Sequence, residues 1–139
     1  MNKTDIAYAA GLIDGEGTIT LTKQASGNEF RYPVISMSST THELVEFMQT
    51  IFSGNIIERN NRHPKWNKVW VWSVRGKNCL YMANLILPYL KEPNKIGRAG
   101  ILVNEYKDLT IRNGKYDESQ VLLKKDMERR FLALTSRKS

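Results

Sequence analysis

The stretch Ala9-Ala10-Gly11-Leu12-Ile13-Asp14-Gly15-Glu16-Gly17, followed at once by Thr18-Ile19-Thr20-Leu21-Thr22-Lys23, decides how this chain is read. Thr4 can cap a helix over about Asp5 to Asp14. Ala7, Gly11 and Gly15 recur every fourth residue, so they share one helix face as a stripe almost free of side chain. Such a stripe lets a second backbone come very close, as small-residue stripes do where membrane helices pack. This helix is too short to cross a membrane. Gly15 and Gly17 then stop it. In the run that follows, hydroxyl and apolar residues alternate, the pattern of a strand with one dry and one wet face.

Outward from this point the pattern continues. Ser26-Gly27-Asn28 signals a turn, and Arg31 to Ser39 reads as the second strand of a hairpin. Thr41 can cap a helix on which Leu44, Phe47, Met48 and Ile51 fall at helical spacing. Ser53-Gly54-Asn55 ends it. Asn55 to Arg59 is a third strand and Trp66 to Arg75 a fourth, joined by the polar loop Asn60 to Lys65. Helices follow over Gly76 to Leu90, about Asn94 to Arg112, and about Glu118 to Thr135. The predicted order α-β-β-α-β-β-α-α-α implies an α+β fold in a single domain, residues 1–139, with helices on one face of an antiparallel sheet. The bare face would carry Thr18, Thr20 and Thr22. In the fourth strand the alternation admits Lys68, Trp70 and Trp72 on that face with Val69 and Val71 inward. The opposite phase is also open, because tryptophans are good core residues.

Charge and composition narrow the function classes. The chain has 139 residues, with 41% hydrophobic and 25% charged, the balance of a globular protein. Lys and Arg total 21 against 14 acids, a net charge of +7. That predicts a polyanionic partner, nucleic acid before an anionic membrane surface; the plain alternative is a soluble domain that happens to be basic. The single cysteine, Cys79, excludes an intrachain disulfide and a cysteine-based zinc site. The longest apolar run, Ile6 to Ile13, falls well short of the ~20 residues a membrane span needs. Met1 to Asp5 does not read as a signal peptide, so an intracellular, non-secreted protein is expected, in cytoplasm or organelle matrix. His42 and His63 have no evident partner and receive no metal role.

The Ala9–Gly17 run resembles the nine-residue signature of the LAGLIDADG homing endonucleases. Ala9 stands for leucine, Gly15 for alanine and Glu16 for the second aspartate. The resemblance extends to the element order, since that family's core is αββαββα with its sheet forming a DNA-binding saddle; here extra C-terminal helices follow. The motif occurs once, which in the family implies a homodimer. The physics agrees: a small-residue helix suits packing against its own copy about a two-fold axis. The contact would take in Ala7, Ala10, Gly11 and Asp14. Two copies of Glu16 would then meet, and neighbouring carboxylates repel unless a cation lies between them. Hard oxygen donors suit Mg²⁺, with other divalent cations as alternatives. A metal there can acidify an attacking water and stabilise a leaving oxygen, as phosphodiester hydrolysis requires.

The resemblance assigns roles residue by residue. It makes Glu16 the metal-binding acid and catalytic centre, and the Gly15 carbonyl a supporting ligand. Asp14 would serve the helix end and the interface. Lys95 would lie near the scissile phosphate, with Lys91 or Arg98 as alternatives. Ser39 and Thr40 are candidates for ordering solvent, or helix caps. The family lays its strands in the major groove of double-stranded DNA, where base edges carry distinct donor and acceptor patterns. That implies readers among Thr18, Thr20, Thr22, Gln24, Arg31, Arg59, Arg62, Lys68, Trp70 and Trp72, while the basic C-terminal third would add phosphate contacts. The implied activity is sequence-specific double-strand cleavage of a long pseudo-palindromic site. The alternatives are an RNA-splicing maturase or a DNA-binding regulator on the same fold, and a domain whose small-residue helix only forms a dimer.

Overall fold

Helix α1 (Lys3–Glu16) runs without a linker into strand β1 (Gly17–Thr22), in the computed structural model, which describes residues 2–25, 29–59, 68–111 and 114–135. The cap is Asn2 rather than Thr4: its side chain accepts the Asp5 N–H at 2.8 Å, which starts the helix two residues earlier than expected. The other end extends through Gly15 to Glu16. Gly17 makes the abrupt exit possible. A Cβ there would sit 2.8 Å from the Ile13 Cα and 3.1 Å from the Ser36 carbonyl oxygen, so only glycine lets strand, helix and neighbouring strand meet this closely.

Strand β2 (Tyr32–Ser39) returns antiparallel to β1. The expected turn at residues 26–28 and the loop at 60–67 lie outside the described residues. Helix α2 (His42–Phe52) follows, then β3 (Asn55–Arg59), at the bounds the sequence predicts, and β4 (Val69–Arg75). The four strands form one antiparallel sheet in the order β1-β2-β4-β3. Helix α3 (Gly76–Ile86) ends in a 3₁₀ turn at Leu87–Tyr89, where Pro88 interrupts it. Helix α4 (Pro93–Ile101) continues through a π-helical turn, Leu102–Tyr106, into the short α5 (Lys107–Leu109), and α6 (Glu118–Ala133) closes the described chain. No described helix is long and apolar enough to cross a membrane.

One sheet face is covered by the helices. The core joins Ile6, Ala9, Ala10 and Ile13 of α1 to Ile19, Leu21, Ile35 and Met37 of the sheet, and to Met48, Met82, Ile86, Met127 and Phe131 of the helices. Trp72 lies at its centre, fully buried, with its indole N–H donating to the Ser53 carbonyl at 2.8 Å. The β4 alternation is therefore in the phase opposite to the one that put Trp70 and Trp72 on the bare face. Trp70 is half-buried against the core, its ring 4.9 Å from that of His42. Both phases of Val69 to Val74 are apolar, and the tryptophans take the core because a buried indole needs a hydrogen-bond acceptor, which Ser53 supplies.

Helix α6 is anchored by an unusual buried cation. Lys124 is 1% exposed, and its ammonium lies 4.1 Å from the Tyr106 ring centroid, within 6 Å of Phe30 and Tyr116, and donates to the Thr110 hydroxyl. Glu128 on the same helix accepts the Arg31 backbone N–H at 3.0 Å, and Arg130 makes a two-pronged pair with Glu105 at 2.6 and 2.9 Å. Burial pushes the Lys124 ammonium down to about 8, against the upward pull of Glu128. The unfolded chain therefore holds the proton more tightly between about pH 8 and its ordinary value of 10.5, so Lys124 adds stability as pH rises through that window. A Lys124→Met comparison isolates the effect: urea midpoints of the parent, relative to the variant, should move upward between pH 7.5 and about pH 10.

Candidate functional site

The acidic end of α1 breaks a local rule. A helix C-terminus carries partial negative charge, where acids cost roughly 0.3–1 kcal/mol each. Yet α1 ends in Asp14 and Glu16, with no basic residue in its last turn. Asp14 is compensated: its carboxylate accepts the backbone N–H groups of Lys91 at 2.8 Å and Glu92 at 3.1 Å, fixing the entrance of α4 to the end of α1. Lys95 supplies the missing cation from α4. Its ammonium donates to the Ile13 and Asp14 carbonyls, both at 2.7 Å; the Ile13 carbonyl also accepts the Gly17 N–H, and the Asp14 carbonyl is one of the acceptors the helix end leaves open. Glu16 is not compensated. It is exposed, and among the described residues it has no hydrogen-bond or ion-pair partner.

The same helix presents an open face. Gly11 and Gly15 are exposed, and a Cβ built on either would meet nothing within 4 Å. Ala7 is half-buried on that side. Ala10, expected at an interface, is instead fully buried in the protomer's own core, because it lies on the helix face turned toward the sheet. Asp14 likewise works inside the protomer.

The uncovered face of the sheet follows from the register, since directly paired residues share a face. Thr18, Thr20 and Thr22 of β1 lie with Tyr32, Val34, Ser36 and Ser38 of β2, with Val69, Val71, Ser73 and Arg75 of β4, and with Asn55, Ile57 and Arg59 of β3. The Thr18 and Ser36 hydroxyls are 2.8 Å apart. Among the described strand residues, this face carries two arginines and no carboxylate.

Other expected readers are engaged elsewhere. Gln24 donates to the Phe30 carbonyl at 2.9 Å and closes the hairpin. Arg31 is half-buried and donates to the Leu21 carbonyl at 3.1 Å. Lys68 pairs with Glu58 at 3.0 Å, and Glu58 lies opposite Trp70 on the helix-covered side. Arg62 and His63 lie outside the described residues. Arg98 is a structural clamp, donating to the Leu134 and Ile19 carbonyls with its guanidinium 4.8 Å from the Phe131 ring centroid. Lys91 is exposed, and its backbone rather than its side chain meets Asp14. The buried Ser39 hydroxyl accepts the Thr41 N–H at 2.9 Å, so it braces the start of α2; Thr40 is exposed. His42 pairs with Glu46 at 2.7 Å.

Sequence reasoning missed Asn55, Ile57, Val71, Ser73 and Arg75 on the open face. The Ser36/Ser38 alternation was a usable signal; the β3–β4 residues needed the pairing to place them.

Solved structures with this architecture are LAGLIDADG homing endonucleases. The homing endonuclease I-CvuI, in complex with its target in the presence of calcium, is 18% identical, with a TM-score of 0.71 over 99% of this chain and 85% of that one. The group I intron-encoded I-CeuI complexed with DNA is 12% identical, with a TM-score of 0.66 over 98% of this chain and 68% of that one. The archaeal intron-encoded I-Vdi141I complexed with DNA is 16% identical, with a TM-score of 0.62 over 98% and 87%. Identities this low establish the fold, and this chain has the LAGLIDADG homing endonuclease fold. No family model matches the sequence and no curated protein matches it.

Proposed function

We propose that this chain, on a LAGLIDADG homing endonuclease fold, is a sequence-specific DNA endonuclease that acts as a pair of identical subunits. The observation that carries the reading is Glu16: an uncompensated acid at the negative end of a helix, beside an open glycine stripe and an acid-free sheet face. Two copies packed along Ala7, Gly11 and Gly15 bring their Glu16 carboxylates together and set the two sheets side by side over one duplex. The donor set suits a hard divalent cation, since it consists of carboxylate and carbonyl oxygens. The Glu16 of the second copy would share in holding it. A bound Mg²⁺ supplies Lewis acidity toward water and the leaving oxygen. Glu16 and the Gly15 carbonyl would hold the ion, and Lys95 fixes the carbonyl end of α1 on which both depend. The hydroxyls of Thr18, Thr20, Thr22 and Ser36 offer hydrogen bonds to base edges, and Arg59 and Arg75 offer contacts to guanine or phosphate.

Incubation with a randomised duplex library in Mg²⁺, with an EDTA control, tests the reading: recurrent cuts at one sequence, absent in EDTA, support it, and a library left intact contradicts it. The pairing has its own test. Gly11→Leu adds a side chain where the protomer has open space, and leucine favours a helix over glycine by about 0.5–1 kcal/mol. The variant protomer should stay folded, sediment as a monomer and lose double-strand cutting.

A further inference from the structure

We propose that the cross-strand pair Ile57–Val71 reads thymine methyl groups, making the target rich in A·T at a fixed position on the inner side of each half-site; this rests on the DNA-cutting reading above. Ile57 is 62% exposed, an aliphatic side chain left in the open, whereas the valines that share its face, Val34, Val69 and Val71, are buried or half-buried among hydroxyl residues, Asn55 and two arginines. Ile57 lies directly opposite Val71, which lies opposite Ser38, so two branched aliphatic side chains stand side by side at this end of the face. In the major groove the one apolar feature of the base edges is the thymine C5 methyl, and a branched aliphatic surface is its complement. The flanking charge fits the same occupant: Arg59 shares this face two residues along β3, and no acid stands on it to repel phosphate.

The register also fixes where that contact falls. Gly17 lies opposite Met37, and Ser38, Val71 and Ile57 form the next row toward α1, level with Glu16. Strands spaced about 4.8 Å apart place Ile57 roughly 14 Å across the sheet from that end of the helix. The methyl contact is thus nearer the cleavage centre than anything facing Thr22 at the far end of β1. It also distinguishes nucleic acids, because uracil lacks the methyl and the pair gives an RNA ligand nothing to hold.

Selection of bound duplexes from a randomised library, with the parent protein in EDTA, gives the preferred site. The inference expects a recurrent inner thymine in each half-site. Replacing it with deoxyuridine should weaken binding about fourfold, the worth of one buried methyl. The Ile57→Asn/Val71→Ser variant removes both aliphatic side chains of the pair, neither of them buried. It should bind the thymine and deoxyuridine duplexes equally while keeping its other base preferences. An enriched site insensitive to deoxyuridine at every thymine, or an Ile57→Asn/Val71→Ser variant that still discriminates, overturns the inference and leaves the endonuclease reading standing. Failure to enrich any sequence overturns both.

Discussion

The Glu16→Gln protein is expected to bind duplex DNA as the parent does and to lose cutting by more than about a hundredfold. Groups that merely orient a metal ligand cost 10–100-fold when removed, and Glu16 is proposed as the ligand itself. The substitution keeps the side chain's length and shape while removing its charge. Glu16 is exposed and has no partner among the described residues, so the fold should not register the change beyond about 0.5 kcal/mol. Relief of an acid at the helix's negative end should register as a slight gain in thermal stability. Cutting rates on a selected duplex, with binding measured in parallel in EDTA, separate the two effects. Retained cutting would remove Glu16 from the chemistry. A fall in binding equal to the fall in cutting would make it a DNA contact instead.

The second large effect is structural. Trp72→Ala should destabilise the protein by about 3–5 kcal/mol, a third or more of what a domain of this size possesses. The indole is fully buried at the middle of the sheet's covered face, so its removal leaves a cavity. It also leaves the Ser53 carbonyl without its donor. That residue and the next hold the turn between α2 and β3 at φ 59° and 95°, and a Cβ on Gly54 would lie 2.9 Å from the Trp72 Nε1. Turn and indole are therefore one packing unit. Urea unfolding should show the loss directly, with the thermal midpoint falling by roughly 10–15 °C. A Trp72→Ala protein of parental stability with weakened DNA binding would put the indole back on the open face.

The decisive part of the fold is legible because it is local. The α1–β1 junction announces itself through spaced small residues, two acids and hydroxyl alternation, and β3 is bracketed by turn residues before it and polar residues after it. The phase of β4 is not local. Val69, Trp70, Val71, Trp72 and Val74 leave both faces apolar, and only pairing with Met37 and Ile56 shows which is covered. The cap of α1 was ambiguous for a related reason, since Asn2 and Thr4 are both competent. At the site, the place of Glu16 at the junction of α1 and β1 was legible from its motif. Arg31, Arg98 and Gln24 looked like free polar groups and turn out to hold backbone carbonyls, because the partners come from residues distant in the chain or from loop backbone that carries no sequence signal. Ala10 looked like part of the small-residue contact, but it lies a quarter-turn from Gly11 and faces inward.

The most direct test of the paired-subunit account is the symmetry of the cut. The randomised duplex library is digested in Mg²⁺ and the ends of both strands are sequenced at every recurrent site. The account predicts one cut in each strand, placed symmetrically about the centre of a near-palindromic sequence, and no such ends from the Glu16→Gln or Gly11→Leu proteins. Cuts in one strand alone, or at sites without two-fold symmetry, would contradict it. Salt-sensitive binding with no cuts at all would make this fold, in this chain, a nucleic-acid binder without nuclease chemistry.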